Sequence, residues 1–159
     1  MSAAPAAAGP EYVGFWPRVG AALLDTIWVT LLITPLLALV GGPGYFTLEY
    51  ALSHRTGLRE ILISYGIPAV VIVVLWRRTL TTPGKMAIGA QIVDAGTLGK
   101  PTVGQLVIRY LGYYVSILPL CLGLIWVAFD PRKQGWHDKL ADTVVIRVRR
   151  PAAPARVAR

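Results

Sequence analysis

Val19-Gly-Ala-Ala-Leu-Leu-Asp25-Thr-Ile-Trp-Val-Thr-Leu-Leu-Ile-Thr-Pro-Leu-Leu-Ala-Leu-Val40 is a run of 22 residues, apolar or small apart from one carboxylate. At roughly 1.5 Å of rise per helical residue it is long enough to cross roughly 30 Å of hydrocarbon. A carboxylate near mid-membrane costs about 2.5–3.5 kcal/mol on insertion scales, and contact with lipid offsets none of it. Asp25 is therefore expected to face a partner, a cavity or water. Arg18 lies seven residues earlier, two turns away on the same helix face and about 10 Å closer to the membrane surface.

The rest of the composition agrees with a membrane chain. Of 159 residues, 55% are hydrophobic and 15% charged, against about 25% charged in a soluble domain. The length suits one domain. The single cysteine, Cys121, excludes an intrachain disulfide. The net charge of +8 flanks the apolar runs, where basic residues set orientation and meet anionic lipid; no nucleic-acid partner is expected. The first apolar run exceeds the usual signal-peptide core, and no A-x-A site follows it, so it reads as a retained anchor.

Three membrane segments are expected, at about 18–40, 58–76 and 105–129, inside one domain over 12–148. An Ala/Pro-rich tail over 1–11 and a basic tail over 149–159 read as disordered. Tyr12, Phe15 and Trp16 suit an interfacial aromatic belt, and Pro17 suits a first helical turn. Gly41-Gly-Pro-Gly44 ends the first span, and residues 41–60 read as a loop. Arg77-Arg78 stop the second span, which Pro68 is expected to kink. Residues 86–94 and 143–148 read as strands.

Loop charges set the orientation. Arg55 and Arg59 in 41–60 are balanced by Glu49 and Glu60, whereas 77–104 holds Arg77, Arg78, Lys85 and Lys100. The positive-inside rule then places 77–104 and the N-terminus in the cytoplasm. Eight basic residues follow Asp130, and the two strands pair only if they share a side. The third segment is therefore read as broken: in to about Ser116, turning near Pro119, and back by Asp130. A plain third span with an external tail is the alternative.

The fold class is thus all-α integral membrane, with two full spans, a broken third segment and a small cytoplasmic β element. Asp25 is expected to couple to Arg109 first and Arg18 second. Trp136-His137-Asp138-Lys139 lacks a second His at ligand spacing and reads as a helix-start network, with Asp138 capping or pairing with Lys139 or Arg132. Thr82-Pro-Gly-Lys85 lacks the glycine and Ser/Thr of a phosphate loop. Ser53, Ser64 and Ser116 lack a paired base, so nucleophilic catalysis has no support. Neither an enzyme, a metal nor a cofactor is expected.

In order and spacing, Phe15-Trp-Pro-Arg18-x6-Asp25, Thr82-Pro-Gly-Lys85-x3-Gly89-x3-Val93-Asp94, Arg109, and Asp130-x3-Gln134-x2-His137-Asp138-Lys139-x3-Thr143 resemble the RDD family of bacterial membrane proteins, named for an arginine and two aspartates. The resemblance covers residues 12–148. It implies that Arg18 and Asp25 are the family's Arg and first Asp, and that the second Asp is Asp138 or Asp130. Asp142 departs from a position where the family commonly has glycine. The family's molecular function is largely undefined, with transport of an ion or small ligand suggested. The expectation is a multi-pass protein of the bacterial inner membrane, acting as a homo-oligomer or with a membrane partner. Its function is ion or small-solute exchange at Arg18, Asp25, Arg109, Asp130 and Asp138; the alternative is a non-transporting scaffold or partner subunit.

Overall fold

The structure is a computed structural model that describes residues 9–42, 44–53 and 57–148. His54 and Arg55 of the 41–60 segment, residues 1–8 of the expected 1–11 tail, and the expected tail over 149–159 lie outside the described residues.

Helix α1 runs Phe15–Gly41, 27 residues, with Pro17 in its first turn and Pro35 inside it. Gly42, at φ 79°, ends it in a conformation that a side chain would strain. The stretch after it is not all loop: α2 spans Leu48–Ser53. Helix α3 (Leu58–Ile61) continues through a π turn, Leu62–Gly66, into α4 (Ile67–Thr79). The π turn sits immediately before Pro68. A proline ring clashes with the carbonyl four residues back, here that of Ser64, and a wider turn relieves the clash. The stretches Phe15–Gly41 and Leu58–Ala87 are each long and apolar enough to cross a bilayer. Their outward residues, such as Leu31, Leu39 and Val70, are exposed apolar side chains, the surface that lipid covers.

Leu80 takes a left-handed conformation and stops α4. Residues 83–87 then form a short helix, α5 (Pro83–Ala87), and only Ala90–Asp94 is strand β1. The expected strand over 86–94 is thus corrected in its first half: Pro83 favours the first turn of a helix, and Gly89, at φ 65°, resets the chain direction. Strand β2, Thr143–Arg147, pairs antiparallel with β1, with Ile92 opposite Val145. The N-terminal segment adds an edge that the sequence reading assigned to a disordered tail and an aromatic belt. Tyr12 bridges Ile146, and the Arg147 amide donates to the Glu11 carbonyl at 2.8 Å. Both ends of the described chain therefore lie on one side of the bundle.

The third segment is broken, as expected. Helix α6 (Val103–Ile117) starts with a capping box between Thr102 and Gln105. After a turn with Leu120 and Cys121 at positive φ, α7 (Leu122–Ile125) leads into a 3-10 turn over Trp126–Ala128. The two arms are bent by 113°. Gly123 allows them to touch: a Cβ there would lie 2.6 Å from Ser116 Cα. Helix α8 (Trp136–Leu140) closes the same side. The core lies at that end, where Val13, Trp76, Ala90, Ile92, Leu106 and Val145 pack together. Apolar burial thus unites the segment before α1, the second span, the sheet and α6.

Candidate functional site

Two polar clusters sit side by side under this core. In the first, Asp138 joins both expected arginines. Its Oδ2 accepts from Arg18 Nη1 at 2.5 Å and from the Gly135 amide at 2.9 Å. Its Oδ1 accepts from Arg109 Nη1. Asp138 and Arg109 are fully buried. Arg18 is fixed by further bonds to the Val13 carbonyl at 2.9 Å and the Lys133 carbonyl at 2.6 Å. Arg109 also reaches Thr143 Oγ1 at 2.7 Å, and its guanidinium lies 5.5 Å from the Trp76 ring centre and 5.8 Å from that of Tyr113, within cation–π range. Burial opposes the charged form of Asp138, but the Arg109 and Arg18 guanidinium groups outweigh it and hold the carboxyl well below the usual range.

The second cluster surrounds Asp25. Its Oδ2 accepts from Thr82 Oγ1 at 2.5 Å and lies 3.7 Å from Lys85 Nζ. Its Oδ1 accepts from the Gly84 amide at 2.8 Å and from Trp28 Nε1 at 2.9 Å. The expected coupling of Asp25 to Arg109 or Arg18 is therefore corrected. All three point inward, but Asp138, on the last helix, takes both arginines, leaving Asp25 to the Thr82–Lys85 turn. Proximity makes that turn possible: a Cβ on Gly84 would stand 2.0 Å from the Ala21 carbonyl oxygen.

Asp130 belongs to neither cluster. Its carboxylate accepts from the Arg132 and Gln134 amides and pairs with Lys139 at 2.5 Å, holding the turn into α8. The expected pairing of Asp138 with Lys139 or Arg132 is thus overturned, whereas its capping of α8 is present. Asp142, at φ 48°, adopts the left-handed conformation in which glycine is free and aspartate is tolerated; this accounts for the departure before Thr143.

The sequence reading gave Ser116 no base, yet His137 Nδ1 lies 3.3 Å from its Oγ, and Asp138 Oδ2 is 3.5 Å from His137 Nε2. The resemblance to a catalytic triad stops at access. Ser116 is fully buried, its hydroxyl donates to the Gly112 carbonyl at 2.8 Å and accepts from the His137 amide at 3.1 Å. This is a clasp between α6 and α8, tightened by stacking of His137 on Tyr113 at 4.0 Å.

Burial is the main cause that lowers the His137 pKa, to about 3. The unfolded imidazole titrates near about 6.5. A depressed folded value means the unfolded chain binds the extra proton, so this stability is full above about pH 6.5 and is lost as pH falls toward 3. Stability in detergent, followed by thermal unfolding, is expected to fall between pH 7.5 and 5.0, by at most about 1.4 kcal/mol per pH unit below 6.5. His137→Gln should flatten that slope; an unchanged slope assigns the acid sensitivity elsewhere.

Two cavities adjoin the clusters. One, about 300 Å³, is lined by Asp25, Lys85, Trp28 and Tyr110, Tyr113 and Tyr114 among others. The other, about 110 Å³, lies beside Arg18 and shares Ala22, Lys85 and Tyr113 with the first.

A family model described as the RDD family matches residues 12–142. The chain belongs to the RDD family. It is 36% identical over 143 residues to the uncharacterized membrane protein YteJ of Bacillus subtilis (strain 168), covering 85% of this chain and 80% of that one. It is also 39% identical over 75 residues to the uncharacterized protein RP437 of Rickettsia prowazekii (strain Madrid E), covering 47% of this chain and 41% of that one. No solved structure matches. This RDD protein is a membrane protein; Arg18 and Asp25, expected from the resemblance to be the family's Arg and first Asp, stand in two separate clusters.

Proposed function

We propose that this RDD protein exchanges a monovalent ion or small solute across the bacterial inner membrane, as an oligomer, with Asp25 as the ion-responsive group. The observation that carries the reading is the Asp25–Lys85 pair on the wall of the 300 Å³ cavity. At 3.7 Å the pair is looser than a hydrogen-bonded ion pair. A proton or cation arriving at Asp25 takes the place of Lys85, whose four-carbon stem lets the ammonium swing away. Charge compensation thus alternates between a bound cation and a tethered one. Two spans and a bent third segment are too few to enclose a pathway, hence the oligomer. Arg77, Arg78 and the basic residues after Asp130 support a cytoplasmic position for the side carrying the sheet. No reaction chemistry is assigned, since Ser116 is closed off.

Proteoliposomes containing only this protein test the reading. The wild type is expected to show proton-, sodium- or potassium-dependent flux, and Asp25→Asn, which inserts and assembles normally, should reduce it about a hundredfold, the lower end for a single proton-transfer group. Absence of wild-type flux for all three ions removes transport and leaves the scaffold, a reading favoured by the complete satisfaction of Asp138. A reporter at the C-terminus that is active only outside overturns the orientation.

A further inference from the structure

The smaller cavity, beside Arg18, carries a different ligand chemistry from the Asp25 pocket. Its polar end is Arg18, Lys85 and His137, and its wall is Val19, Leu124 and Val127. Around it, Arg18, Lys85 and Arg109 are three cations facing the two carboxylates Asp25 and Asp138, which leaves one positive charge uncompensated. Burial keeps His137 neutral at physiological pH, so it adds a ring nitrogen and no charge. Lys85 is the mobile cation of the group, reaching Thr82 Oγ1 only at 3.5 Å and Asp25 at 3.7 Å. At about 110 Å³ the cavity is well below the roughly 300 Å³ of sites for drug-sized ligands. It suits one phosphate-sized group with the start of an aliphatic chain. Phe15, at the start of α1, also lines it, and the adjoining Trp16 is 76% exposed, the position of an interfacial aromatic.

We propose that this cavity holds the phosphodiester of an anionic membrane lipid, with the phosphate between Arg18 and Lys85 and the acyl end running along Val19, Leu124 and Val127. A headgroup of net charge −1 neutralises the surplus cation, whereas a zwitterionic headgroup brings an ammonium that finds no free carboxylate, both being already bonded. The apolar wall distinguishes a lipid from free phosphate, which gains nothing from it. A basic pocket between membrane helices on the positive side is a recognised form of headgroup site. The proposal is independent of flux: it concerns the Arg18 cavity, and its readout is retention of lipid.

The test is native mass spectrometry of the full-length protein in detergent, titrated with phosphatidylglycerol or phosphatidylcholine. The wild type should retain phosphatidylglycerol preferentially. Lys85→Gln should reduce that preference about fivefold, as expected for loss of one lysine near a lipid surface. Val19→Phe, which fills the apolar end and leaves every charge in place, should reduce it as well; Arg77→Gln, at an exposed position near the end of α4 outside the cavity lining, should not. Equal retention of the two lipids overturns the proposal, as does a preference that survives both Lys85→Gln and Val19→Phe. Displacement of phosphatidylglycerol by millimolar inorganic phosphate overturns the lipid as ligand and assigns the cavity to a free anion.

Discussion

Asp138→Asn is expected to lower the stability of the detergent-solubilised protein by about 3–5 kcal/mol, the usual penalty for leaving a buried charge without its partner. Two charges are left in this case. Arg109 is fully buried, and its Nε and Nη2 have no hydrogen-bond partner among the described residues, so Asp138 and Thr143 are what it has. Arg18 would keep its carbonyl contacts but lose its counter-charge. The amide at position 138 also replaces an oxygen by an NH2 group that points a donor at donors. Thermal or denaturant unfolding of wild type and variant provides the measurement. A loss under about 1 kcal/mol, the range of exposed pairs, would mean that water reaches the trio and that it is not the buried anchor described above. The carboxyl is held below its ordinary range. Its contribution is therefore present above the unfolded value of about 3.9 and is lost only as pH falls below it. The acid sensitivity expected between pH 6.5 and 4 belongs to His137 instead.

Gly84→Ala is the second large effect, at about 3 kcal/mol, the upper range for overpacking a tight contact. The new methyl would sit 2.0 Å from the Ala21 carbonyl oxygen and 2.9 Å from Asp25 Cγ. The Ala21 carbonyl is backbone of α1 and cannot yield, so α5 must move away. That displacement draws the Gly84 amide and the Thr82 hydroxyl off Asp25, leaving a carboxylate at membrane depth short of two donors. Gly20→Ala, on α1, is the control. Nothing lies within 4 Å of its Cβ position, and alanine is the better helix former by about 1 kcal/mol. Gly84→Ala should therefore melt well below wild type, while Gly20→Ala melts at or above it. Equal stability of the two variants would show that α5 does not rest on α1.

The membrane topology was legible because it depends on quantities that accumulate along the chain. Length and apolarity mark α1 and α4, and Arg77-Arg78 mark an exit. Too few residues for two crossings, interrupted by Pro119 and Gly123 and followed by basic charge, mark a bent segment. The β pairing was legible in β2, where Thr143-Val-Val-Ile is β-branched throughout, and misread in the first half of β1. There Pro83 and Gly84 start a helical turn that local apolarity disguises. The Thr102–Gln105 capping box was a readable signal that the sequence reading did not use.

The candidate site divides differently. Sequence alone determined which side chains had to be satisfied. A carboxylate seven residues beyond an arginine in a membrane run cannot face lipid, and a buried guanidinium requires an anion. It did not determine which charge meets which, because Arg18 and Arg109 lie 120 and 29 residues from Asp138, and helical periodicity fixes only a face and a depth. Matched depth favoured Asp25 with Arg109. The tertiary structure decided otherwise by bringing α8 against α6, where Gly112 lets His137 approach to a would-be Cβ distance of 2.9 Å. That close packing carries Asp138 to both arginines. Asp25 then takes the donors that α5 presents, an amide and a hydroxyl fixed by the turn after α4. Pairing was a property of which helices touch, and contact between helices is set by shape at glycines such as Gly112 and Gly84, which themselves carry no charge.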